Sequence, residues 1–169
     1  MFVLGLIFGA AGFRLLAWQI TAFTVAHSVT LFLATEDVIS VSPAIVEPLI
    51  AVSIAIVAAE NLLPPRAQAS RLRRVLWRPL LVFCFGLLHG LGFAGVLADL
   101  GLPAQQRLVA LVGFNLGIEA AQLAIVLLVH TLLLRPLRSQ SWYRRRVVWP
   151  ASVIIAVIGL YWAATRIGG

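Results

Sequence analysis

Five apolar stretches, each bounded by arginines, prolines or interfacial tryptophans, constrain this chain more than any other feature of its sequence. They cover about 18–35, 44–63, 77–98, 107–134 and 147–166, and a helix needs roughly 20 apolar residues to cross a bilayer. Hydrocarbon offers no water to backbone N–H and C=O groups, so each stretch must satisfy its own hydrogen bonds as a helix. A soluble domain is excluded: with 62% of 169 residues apolar, 11% charged and a mean hydropathy of +1.02, the chain could not hide its apolar surface from water. Residues 1–13 form a sixth stretch, too short to span comfortably. They lack the positive n-region of a signal peptide, and no small-residue cleavage site follows. The breaks carry helix-stopping residues at Ser42-Pro43, Pro64-Pro65, Gly101-Leu102-Pro103, Arg135-Pro136 and Trp149-Pro150, with Trp18, Trp77, Trp142 and Trp149 near the boundaries. The expected fold is all-α, a polytopic transmembrane helical bundle of five full helices plus a short N-terminal hydrophobic helix. Residues 1–169 form one transmembrane domain whose main partner is the lipid bilayer.

A net charge of +7 and a pI near 11.5 invite a nucleic-acid reading, but the placement of the charges follows membrane topology. All 13 basic residues are arginines. Arg14, Arg66, Arg71, Arg73, Arg74, Arg78, Arg135, Arg138, Arg144, Arg145 and Arg146 fall in alternate connections, whereas Arg107 and Arg166 fall at the opposite ends. The positive-inside rule then makes loops 64–76 and 135–146 cytoplasmic and puts both termini outside, in a bacterial-type inner (plasma) membrane. Glu36-Asp37 and Asp99 face outward. The arginine runs also suit anionic lipid headgroups, and no aromatic-interleaved basic surface is left for nucleic acid. The single cysteine, Cys84, excludes an internal disulfide and reads as a small packing residue on a different face from His89.

Ionisable groups inside the spans carry the functional information, because a charge at the bilayer centre costs at least about 2.5–3.5 kcal/mol on insertion scales and needs a partner or a cavity. His27, His89 and Glu119 each sit roughly 14–18 Å into a layer about 30 Å thick, counted at 1.5 Å per residue from Trp18, Trp77 and Arg107. Asn115 and Gln122 share the helix face of Glu119, and Thr24 and Thr30 flank His27 at three residues. Two imidazoles and a carboxylate at one depth suit a divalent transition metal such as nickel, cobalt, zinc or iron better than magnesium. Asn115 and Gln122 are then ligand-orienting or shell-completing groups. The same residues could instead form an interhelical hydrogen-bond network that only fixes packing. Glu47 lies near the outer end of its helix and Glu60-Asn61 near the inner end, where they read equally as gates or as solvated boundary residues. His130 reads as an interfacial histidine, and Gly86, Gly90 and Gly92 give His89 a small-residue surface for close helix approach.

Four ordered segments carry a family resemblance: Phe23-Thr24-Val25-Ala26-His27-Ser28-Val29-Thr30-Leu31, then Val46-Glu47 with Ile50-Ala51-Val52-Ser53-Ile54 and Glu60-Asn61. Phe85-Gly86-Leu87-Leu88-His89-Gly90-Leu91-Gly92-Phe93-Ala94 and Phe114-Asn115-Leu116-Gly117-Ile118-Glu119 with Gln122 complete the set. Over roughly residues 18 to 123 the chain resembles the HupE/UreJ-type membrane proteins. That resemblance implies nickel or cobalt uptake of the kind that serves hydrogenase and urease maturation. It also implies a Gly-x-Asp-His segment just upstream of Met1, so that the expected natural chain is longer, with a full first helix and further ligands.

The resulting expectation is a permease rather than an enzyme, moving nickel or cobalt past a mid-membrane site of His27, His89 and Glu119, supported by Thr24, Ser28, Thr30, Glu47, Glu60, Asn61, Asn115 and Gln122. An intramembrane metal-dependent hydrolase, with Ser28 or Glu119 assisting a metal-activated water, is the alternative. A scaffold or assembly subunit is a third reading. A homo-oligomer is compatible with all three, and the chain contains no nucleotide-binding loop.

Overall fold

The computed structural model describes residues 1–9, 12–63, 71–99 and 104–168, without side-chain detail at 71–76, 96–99 and 104. Its elements are α1 (Phe2–Gly9), α2 (Phe13–Thr35), α3 (Pro43–Leu62), α4 (Arg71–Asp99), α5 (Ala104–Val129), a π turn at His130–Leu134, α6 (Arg135–Leu137), a second π turn at Arg144–Val148 and α7 (Trp149–Ile167). Among the described residues, five segments are long and apolar enough to cross a membrane: Phe13–Thr35, Pro43–Leu62, Trp77–Gly95, Gln105–Leu137 and Arg144–Ile167. The chain is an all-α multi-pass membrane protein. Arg66 and the Pro64-Pro65 and Gly101-Leu102-Pro103 breaks lie outside the described residues, as do the side chains of Arg71, Arg73, Arg74 and Asp99.

Local chemistry sets the ends. At the end of α2, Asp37 adopts φ 56°, a left-handed conformation that a short polar side chain tolerates. Val38 N–H then bonds Leu33 O at 2.9 Å and Asp37 N–H bonds Ala34 O at 3.3 Å, which satisfies two carbonyls of the last turn and reverses the chain. Pro43 occupies the first turn of α3, where no N–H partner is needed. Both π turns run up to a proline. Arg135 N–H reaches five residues back to His130 O before Pro136, and Trp149 N–H reaches Arg144 O before Pro150. Each wider turn carries the chain past a residue that has no N–H to give and whose ring crowds the preceding turn. Two helices extend past their expected limits, α2 beginning at Phe13 and α4 at Arg71. Arginine stems tolerate this where the head can reach the interface.

The most extensive contacts join α2 to α4 and α3 to α7, while α1 packs mainly on α3 and α5 on α2. The α2–α4 pair is close because Gly86 and Gly90 recur at four residues on α4. A methyl group at Gly86 would stand 2.5 Å from Phe23 O and 2.9 Å from Ala26 Cβ, and one at Gly90 would overlap Thr30 Oγ1 and His27 O. Thr30 Oγ1 uses this approach to donate to Leu87 O at 2.7 Å. Gly86→Val is therefore expected to destabilise the bundle by about 1–3 kcal/mol or more through overpacking. Gly95→Ala, at a position with open space, should be neutral. Thermal unfolding in detergent compares the two, and equal midpoints would refute the close-packing argument.

Cys84 is exposed on the outside of α4, so it faces lipid instead of filling a packing gap. Its different face from the buried His89 is as expected. Helix alternation gathers Arg14, Arg78, Arg135, Arg138, Arg144, Arg145 and Arg146 at one end, where Arg144 Nη2 donates to Leu63 O at 2.5 Å. At the other end Arg166 Nε pairs with Glu47 Oε2 at 3.0 Å, joining α7 to α3.

Candidate metal-transport site

His27 lies on the buried face of α2, 2% exposed, and faces α5. Its Nδ1 is 3.0 Å from Asn115 Oδ1. Asn115 Nδ2 donates to Leu111 O at 2.9 Å, which leaves Oδ1, a pure acceptor, toward the imidazole. His27 therefore carries its proton on Nδ1 and keeps a lone pair on Nε2. The ring is surrounded by Phe23, Phe93 and Phe114, with centroids at 6.0, 5.5 and 6.5 Å.

His89 on α4 is held by the same logic in the opposite sense. Its Nε2 lies 2.9 Å from Ser53 Oγ on α3, and that hydroxyl donates its single proton to Ile50 O at 2.6 Å. His89 Nε2 must then be the donor, which leaves the lone pair on Nδ1. Phe2 and Phe23 stand against this ring at 5.0 and 5.2 Å. Phe23 thus touches both imidazoles, so two nitrogen donors from α2 and α4 share one buried aromatic environment.

Glu119 is engaged elsewhere on the α2–α5 seam. Thr21 Oγ1 donates to Glu119 Oε1 at 2.9 Å. Thr21 precedes His27 by six residues, roughly 9 Å along α2 at 1.5 Å per residue. Among the described residues, no three or more His, Cys, Asp or Glu side chains gather closely enough to hold a metal together. The structure brings His27 and His89 around a common ring and holds Glu119 about one and a half turns toward the arginine-rich end.

The supporting residues divide by location. Ser28 Oγ donates to Thr24 O at 2.6 Å, so its hydroxyl is tied to its own helix. Thr24 is buried on the α5-facing side with its Oγ1 unpartnered among the described residues, as is Oε1 of Gln122. Glu60 and Asn61 belong to a polar knot at the arginine-rich end. There Arg78 Nη1 donates to Gly9 O, Arg78 Nη2 to Asn61 Oδ1 at 2.9 Å, and Arg78 Nε pairs with Glu60 Oε2 at 3.8 Å. Asn61 Nδ2 donates in turn to Gly5 O at 2.8 Å and Ser152 Oγ at 3.3 Å, tying α1, α3, α4 and α7 together. Among the described residues Glu47 takes part only in the ion pair with Arg166, at the end opposite the arginine cluster. His130 lies in the first π turn against Phe13, at 5.4 Å. A surface groove lined by Ser141, Trp142, Arg145 and Arg146 lies on the α6–α7 connection, apart from the imidazoles. Sequence reasoning gave no role to Thr21, Ser53 or Gln19, the last wholly buried with both amide atoms unpartnered among the described residues.

The HupE / UreJ protein family matches residues 1–166. The chain belongs to the HupE/UreJ family. This match extends the resemblance, first legible between residues 18 and 123, over nearly the whole sequence, including α1 and α7. No curated protein and no solved structure gives a significant match. The HupE/UreJ family is associated with nickel and cobalt handling.

Proposed function

We propose that this HupE/UreJ protein is a permease for nickel or cobalt whose cargo is bound in transit by Nε2 of His27 and Nδ1 of His89. The supporting observation is the paired tautomer arrangement. Asn115 and Ser53 each fix a proton on one ring nitrogen and leave the other as a neutral, borderline-soft donor, the type that suits these metals. The phenylalanines around the rings exclude water and favour exchange of the ion's hydration shell for nitrogen ligands only when both imidazoles are reached. Glu119 supplies negative charge on the same seam, toward the arginine-rich end. The resident ion is cargo, so the site must bind and release rather than retain.

Elemental analysis of detergent-purified protein, with and without added nickel, cobalt, zinc and iron, tests this directly. Wild type is expected to take up nickel or cobalt, and His27→Ala with His89→Ala to take up neither while staying folded. Equal metal content in both would remove the proposal. With 11 arginines gathered in alternate connections, 64–76 and 135–146 are cytoplasmic in this reading. Single cysteines placed there in a Cys84→Ala background should resist a membrane-impermeant thiol reagent applied to intact cells. Ready labelling from outside would invert the topology.

A further inference from the structure

We propose that the α2–α5 seam binds a sodium ion through Glu119, Thr21, Thr24 and Gln122, as the coupling ion of the transporter proposed above. Thr21, Thr24 and His27 recur at three residues on one face of α2. The two outer members of this row both contact α5, Thr21 through Glu119 and His27 through Asn115, so Thr24 faces the same seam between them. On α5, Asn115, Glu119 and Gln122 occupy a single face at spacings of four and three. Thr24 is 5% exposed, yet its hydroxyl finds no partner among the described residues, and Gln122 Oε1 is likewise buried and unpartnered. A buried hydroxyl and a buried amide oxygen left unpaired are costly, so their presence on the same seam as a carboxylate calls for a ligand.

The donors identify it. All are oxygens, which suit hard cations, in contrast to the nitrogen pair at His27 and His89. Only one of them is charged, so a monovalent ion leaves the site neutral, whereas a divalent ion would leave a net charge in a low-dielectric seam. A proton on Glu119 would also neutralise it, but its single O–H could pair with only one of the Thr24 and Gln122 oxygens, whereas a cation takes both as ligands. The protein would therefore carry two ions of different chemistry at successive levels of α2, the metal between α2 and α4 and sodium on the α2–α5 seam nearer the arginine-rich end.

The test uses the whole 169-residue chain in detergent with a chelator and no transition metal, so that its result is independent of the metal reading. Replacing choline chloride by sodium chloride at constant ionic strength should raise the thermal midpoint of the wild type by about 3 °C at roughly ten times the dissociation constant. Potassium chloride should not. Thr24→Val and Glu119→Gln should lose the shift, and Thr24→Ser, which keeps the hydroxyl, should retain it. The His27→Ala/His89→Ala variant should keep the sodium shift while losing nickel. An equal shift in wild type and Thr24→Val, an equal response to potassium, or a midpoint that follows pH but not sodium would each overturn the site.

Discussion

Replacing either His27 or His89 by alanine is expected to lower the affinity for nickel by at least about 100-fold, since loss of even a ligand-orienting partner commonly costs 10–100-fold. The double variant should lose little more than either single one, because two donors that share one ion are not independent. Asn115→Leu should weaken binding by roughly 10–100-fold without removing a ligand, since nothing then fixes the His27 proton on Nδ1. The pH dependence has a definite sign. Only a neutral imidazole has a lone pair to give, so metal binding releases protons and affinity falls as pH is lowered. Titration calorimetry at two pH values, with thermal unfolding of each variant, separates loss of the site from loss of the fold. Additive losses from His27→Ala and His89→Ala would mean that the two rings serve separate purposes. Glu119→Gln, by contrast, is expected to keep nickel binding and lose transport, because its carboxylate is held by Thr21 and not by the imidazoles.

Arg78→Leu is expected to cost about 1–3 kcal/mol of stability, because it leaves a half-buried carboxylate and two further acceptors without their donor. The side chains of Arg78 and Glu60 are only 19% and 25% exposed, so solvent screens the pair weakly. Removing Arg78 strands Glu60, Asn61 Oδ1 and Gly9 O together, and the last of these is the bond that fastens the end of α1. A companion Glu60→Gln change in the Arg78→Leu background should recover part of the loss, since an uncharged side chain no longer needs the guanidinium. Chemical unfolding in mixed micelles measures both variants, and a cost below about 1 kcal/mol for Arg78→Leu would show the knot to be a solvated surface pair.

The spans were legible because an apolar run of bilayer length has few alternatives. The π turns were foreshadowed by Arg135-Pro136 and Trp149-Pro150, although a proline next to a charge announces a break and does not say that the helix passes it by widening. At the site, His27, His89, Asn115 and Glu119 stood out as costly residues in hydrocarbon. Their grouping did not, because depth along a helix says nothing about which neighbour a side chain turns toward. Glu119 matches His27 in estimated depth, yet the way α5 lies on α2 sets it against Thr21. Threonine and serine are cheap in a membrane helix, so Thr21 and Ser53 gave no such warning. The row Thr21, Thr24, His27, Thr30 at constant spacing was the available signal, and its reading began one turn late at Thr24. Gln19 carries no pattern of its own, and its burial is a property of the assembled bundle.

The contact of α4 with α2 through Gly86 and Gly90 reaches backbone atoms, including Phe23 O and His27 O. Side chains can give way by changing rotamer, but two backbones in contact slide past each other only if they first separate. The helices that carry the two imidazoles therefore behave as one stiff double rod, and the gap between the rings is a fixed gauge rather than a jaw. In the transport reading proposed above, the part that opens to admit an ion is then a helix that holds the rod more loosely. α5 meets these terms, since it is the least enclosed of the spans and is joined to α2 by side-chain hydrogen bonds alone among the polar contacts described.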